Sequence, residues 1–253
     1  MSLPPRNISF SLLFFKSLSG LGVGIIGMII LLIFVLFGLG TATTGAVSGP
    51  FLVFSSLVMG FITAMVTSSL GVFIFGMLDR ERYPDLRLVV KHVILLNVII
   101  FIFLLPIYFF TIIGADSGLK SLFLIAALQL LISAQASIFV LEFSANSSTR
   151  ENLITIYGTV FGILSAILAT LLIYSIFQNF STPEELAVGG SGGKGPTAAL
   201  FAILPLTWFC FGFFISTVEM VYRWVYETWG VDFLNKPSAG IPRIPKRKVA
   251  ASC

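Results

Sequence analysis

Chemistry in a chain this poor in polar groups would have to come from a handful of side chains. There is one histidine, His92, and there are two cysteines, Cys210 and Cys253. One imidazole cannot supply a bis-histidine haem site, and the two cysteines give no disulfide framework. HExxH does not occur, and no nucleophile, base and orienting group can be assembled from local motifs. Gly22, Gly24 and Gly27 match the spacing of a dinucleotide fingerprint, yet no strand precedes them and no βαβ pattern surrounds them. The run GGSGGKG lacks the Ser or Thr that should follow Lys194 in a phosphate loop. His92 reads as an interfacial residue in a basic segment. The expectation is a non-enzyme with no catalytic, metal-ligating or cofactor-binding residue.

The polar side chains embedded in apolar runs are the better lead, because burying them away from water requires protein or solvent partners. Four stand out: Asn97, Gln135, Glu142 and Glu219. Gln135 and Glu142 are seven residues apart and share a helix face, whereas Gln129 and Gln135 are turned roughly 240° from one another. One reading lines these four side chains along a polar path. The other makes them hydrogen-bond partners between helices, each contributing about 0.6 kcal/mol, and this is the reading favoured here. Glu219 precedes Arg223 by one turn, so an i,i+4 ion pair is expected between them.

The elements that hold these groups follow from composition. Of 253 residues, 57% are hydrophobic and only 10% charged, against about 25% charged in ordinary soluble domains. Mean hydropathy is +1.03. The expected fold class is all-α, a polytopic membrane bundle of six transmembrane helices at about 20–41, 51–78, 88–113, 119–143, 152–178 and 198–223, each near the ~20 apolar residues a bilayer demands. The six-helix domain covers residues 20–224. Residues 1–19 read as an N-terminal interfacial segment in which Lys16 lies off the apolar face; an early extension of the first span is the other reading. Residues 225–253 form a basic, aromatic C-terminal tail. Gly20, Gly24 and Gly27 mark a helix-packing face, since GxxxG spacing lets backbones approach closely.

Orientation turns on the segment Asp79–His92, DRERYPDLRLVVKH, a charged stretch between two apolar runs. Of the 15 Lys and Arg residues, only Lys120 and Lys194 fall on the side opposite the termini. Such an excess points to cytoplasmic termini, with the plasma or inner membrane as the expected location. Each hairpin of spans then returns to that side near an acid: Asp79, Glu142 and Glu219. The expected partners are the lipid bilayer, anionic headgroups at the cytoplasmic face, and other membrane or cytoplasmic subunits, with no nucleic acid. The loop 79–92 is the candidate docking element, its basic residues Arg80, Arg82 and Arg87 flanking apolar contacts from Tyr83 and Leu86. The expected function is a non-catalytic membrane subunit associated with transport. The alternative is a scaffold of a larger membrane complex, with the glycine face of the first span turned to a partner.

Overall fold

The computed structural model describes residues 10–43, 49–80, 83, 85–113, 118–144, 149–179 and 194–229. They form six helices: α1 (Phe10–Thr43), α2 (Gly49–Leu78), α3 (Leu86–Ile113), α4 (Gly118–Phe143), α5 (Thr149–Asn179) and α6 (Lys194–Trp229). Each is long and apolar enough to cross a membrane. Helices are the natural form for such runs, because a helix satisfies its backbone N–H and C=O groups within the segment. Hydroxyl side chains are absorbed the same way. Thr67 donates to Thr63 O at 2.7 Å, Thr170 to Ala166 O at 2.7 Å and Thr207 to Ile203 O at 2.6 Å. Hydroxyls bonded back to their own helix need no pore to face.

α6 packs along both α1 and α5. α2, α3 and α4 pack against one another, and this second group joins the first mainly along α1–α2 and α4–α6. Small residues set the closest approaches. A Cβ on Gly20 would overlap Trp208 O, and one on Gly24 would overlap Pro205 Cα. Gly212 of α6 sits as tightly on the Lys16 backbone, and Gly158 of α5 on Ile215. At Gly20 and Gly24 the glycine face of α1 therefore packs on α6 of the same chain. Trp208 fills the centre, wholly buried, edge-on to Phe75 at 5.8 Å and to Phe211 at 5.9 Å. Gly71 gives its indole room, since a Cβ there would overlap the ring.

The first helix takes in the N-terminal segment for which two readings were open. Phe10–Ser19 runs into α1 without a break. Phe10, Phe14, Phe15 and Leu18 point outward, whereas Leu13, Lys16 and Ser17 are buried. An interfacial helix would turn its charge to water; this one turns it into the bundle. α6 likewise runs past residue 223 to Trp229, burying Tyr222 and exposing Trp224, so the aromatic cluster is split between inside and outside. Arg82, Pro84, the capping residue Ser148, the helix start signal at Thr182, Gly189 to Gly193 and residues 230–253 lie outside the described residues.

Candidate functional site

α1 begins, α6 ends, and α2 and α4 both terminate at one end of the bundle, here called the basic end. Asp79 follows the last residue of α2, and Glu142 is the penultimate residue of α4. Both are buried. The Lys16 ammonium donates to Asp79 Oδ2 at 3.1 Å, tying α1 to α2. Tyr83, in the connection between α2 and α3, donates its hydroxyl to Glu142 Oε2 at 2.8 Å. Asp79, Tyr83 and Glu142 each make further interactions as well. These four side chains line a cavity of about 30 Å³ that is closed by Ile138 and Leu141 of α4, Thr155 of α5, and Phe211 and Ile215 of α6. It lies where the two helix groups meet.

A volume of that size has room for about one or two water molecules. What the arrangement can do is hold solvent and a proton among an ammonium, two carboxylates, a phenol and a hydroxyl. Among the described residues, no group of three or more His, Cys, Asp or Glu could hold a metal ion.

The four polar side chains singled out in the sequence lie on three helices, α3, α4 and α6. Asn97, buried on α3, donates to Val93 O of its own helix at 2.8 Å. Gln135 donates through Nε2 to Thr159 Oγ1 at 3.0 Å, tying α4 to α5. It also borders an outward groove lined by Leu128, Ile132, Phe139, Ile163 and Ile167. Glu142 enters the cavity. Glu219 is buried on α6, one turn beyond Ile215. Arg223 pairs not with it but with Glu227, Nε to Oε1 at 2.7 Å on the exposed side. Burial explains the exchange, because Glu219 turns inward while Arg223 keeps its charged head near solvent.

The docking segment divides in the same manner. Arg80, Arg87, Lys91 and His92 are exposed. Tyr83 is 5% exposed, and Leu86 packs against Gly76 in the core. Tyr83 is thus turned inward, whereas Leu86 stays half-buried. Sequence reasoning also missed Lys16 as a site residue. The available signal was a lone ammonium in an apolar helix, which needs an acid on a neighbour. Thr155 gave no signal.

A second interhelical tie lies further along the bundle. Tyr108 of α3 donates to Gln129 Oε1 of α4 at 2.9 Å, both buried, beside Gly60 of α2. Tyr108→Phe should destabilise the bundle by about 1 kcal/mol, because a buried acceptor loses its donor without loss of shape. Thermal unfolding in detergent checks this; an unchanged midpoint would mean the amide finds another donor.

In comparisons with known proteins, no family model, no curated protein and no solved structure matches the chain. The class rests on architecture: an all-helical chain with six helices of membrane-crossing length and composition, as in a multi-pass integral membrane protein.

Proposed function

We propose that the chain is a non-catalytic membrane subunit associated with transport, which docks a partner subunit through residues 79–92. The excess of Lys and Arg at the basic end supports cytoplasmic termini in a plasma or inner membrane. The observation that carries the reading is the two-sidedness of the segment. Inward, Asp79 holds Lys16, Tyr83 holds Glu142 and Leu86 seats on Gly76. Outward, Arg80, Arg87 and Lys91 stand in solvent. A partner that pulls on the outer face acts directly on contacts at the junction of the two helix groups. The same basic residues suit an acidic partner surface or anionic headgroups.

Reversing Arg80, Arg87 and Lys91 together to Glu should abolish partner retention on gentle purification from native membranes. Stability should change little, since exposed substitutions are typically within about 0.5 kcal/mol. Retention of the same partner by the folded variant would sink the reading. A second reading, a scaffold without transport activity, is favoured by one observation. The buried Gln129 and half-buried Gln135 serve as ties between helices, and the basic-end cavity has a volume of only about 30 Å³. Under it, the partner is held by the outward apolar faces of α3 and α5, and charge reversal leaves the assembly intact.

A further inference from the structure

The outward groove between α4 and α5 has a volume of about 310 Å³ and is lined by apolar side chains except for Gln135. Gln135 Oε1 is buried without a hydrogen-bond partner. The orientation of this amide follows from its neighbour. The single Thr159 O–H donates to Ile156 O at 2.9 Å, so toward Gln135 this hydroxyl can only accept. Nε2 therefore faces Thr159, which it meets at 3.0 Å, and Oε1 is turned away from it. A buried acceptor without a donor is costly in an apolar setting. The groove supplies no donor, and neither does a plain acyl chain.

The surface beside the groove does supply one. α5 is the least buried of the six spans, packed along α6 and only slightly on α4. Its outer face carries Tyr157, Phe161, Leu164 and Leu168, all exposed. Spacings of three and four residues join them into one ridge along the helix. Ile163 and Ile167 of the same helix form the near wall of the groove. Ridge and groove thus lie side by side, as a self-complementary twofold surface requires. Depth selects the donor. Copies of one chain insert with the same orientation, so a twofold axis runs along the membrane normal and preserves the depth of every residue. Gln135 is level with Thr159, and Tyr157 lies only two residues, about 3 Å, from that level. The other exposed hydroxyls of α5, Tyr174 and Ser175, lie about 22 Å or more beyond it.

We propose that a second copy of this chain docks here, its α5 ridge seated in the α4–α5 groove, with each Tyr157 hydroxyl donating to Gln135 Oε1 of the other copy. The terminal torsion of a glutamine is soft, and a small turn brings Oε1 to the groove. From Leu128 to Phe139 the groove follows about 16 Å of α4. The ridge from Tyr157 to Leu164 takes up about 10 Å of that length. The dimer stands whether or not another subunit docks at residues 79–92.

Energy transfer between full chains carrying donor and acceptor dyes, diluted stepwise with lipid in vesicles, tests this. The expected result is transfer above random proximity that falls with dilution as a dimer dissociates. Tyr157→Phe, an exposed change that leaves the fold intact, should weaken dimerisation about threefold to tenfold, the range for one interhelical hydrogen bond. Gln135→Leu should weaken it comparably, and the double variant no more than either alone. Phe161→Ala with Leu164→Ala should weaken it further, whereas Phe103→Ala, on the exposed face of α3, should leave it unchanged. A chain that is monomeric at every dilution overturns the proposal, and so does a dimer indifferent to Tyr157→Phe. Mass spectrometry of the purified chain separates the other occupants. A hydroxyl-bearing lipid or a different protein, retained by a monomer and lost in Gln135→Leu, overturns the second copy as the occupant.

Discussion

Gly24→Ala is expected to break the packing of α1 on α6, while Gly22→Ala two residues away leaves it intact. The difference is geometric. A methyl on Gly24 would overlap Pro205 Cα and meet Leu204 O at 2.6 Å, all backbone, so no rotamer change relieves it. Gly20→Ala meets Trp208 O in the same way, whereas nothing lies within 4 Å of a Cβ on Gly22. Overpacking of this kind costs about 1–3 kcal/mol, and more where backbone must move. At Gly22 the only change is helix propensity, a gain of up to about 1 kcal/mol. Thermal unfolding and monodispersity in detergent should therefore separate the variants, with Gly20→Ala and Gly24→Ala low and Gly22→Ala at or above the native chain. Equal midpoints for Gly22→Ala and Gly24→Ala would mean that α1 and α6 do not approach as described.

The second large effect concerns the Lys16–Asp79 pair. Both side chains are buried, 9% and 2% exposed. Attraction between buried charges is offset by their desolvation, so the pair itself adds little. Removing one member is different. Lys16→Met leaves the Asp79 carboxylate without its ammonium, and breaking a buried pair costs about 3–5 kcal/mol. The lower end is expected, because Asp79 has other interactions and can take up a proton. Lys16→Met with Asp79→Asn should be more stable than Lys16→Met alone, with a coupling of about 1 kcal/mol or more. Strict additivity would show that the two side chains do not interact in the folded bundle.

Much of the architecture was legible before the structure. The count and approximate extent of the six helices come from apolar runs of membrane-crossing length, a signal independent of tertiary context. GxxxG spacing likewise announced that Gly20 and Gly24 serve close packing. The acids Asp79 and Glu142 were visible as chain-end markers of their helices, but not as neighbours. Helix faces were harder to read. In a span that is apolar all round, periodicity does not distinguish the face toward the bundle from the face toward lipid. For that reason Lys16 was read as lying off the packed face although it turns into the bundle.

By itself, then, the sequence determined an all-helical membrane-type chain with six crossings and a charged segment between the second and third. Only the tertiary structure decided which side chains meet. It turned the glycine face of α1 onto α6, exchanged the partner of Arg223 from Glu219 to Glu227, and gathered Lys16, Asp79, Tyr83, Glu142 and Thr155 from three helices and the α2–α3 connection around one small cavity. The reason is physical: crossing length is a property of each segment, whereas the rotation of a uniformly apolar helix is set by small residues and buried hydrogen bonds on its neighbours.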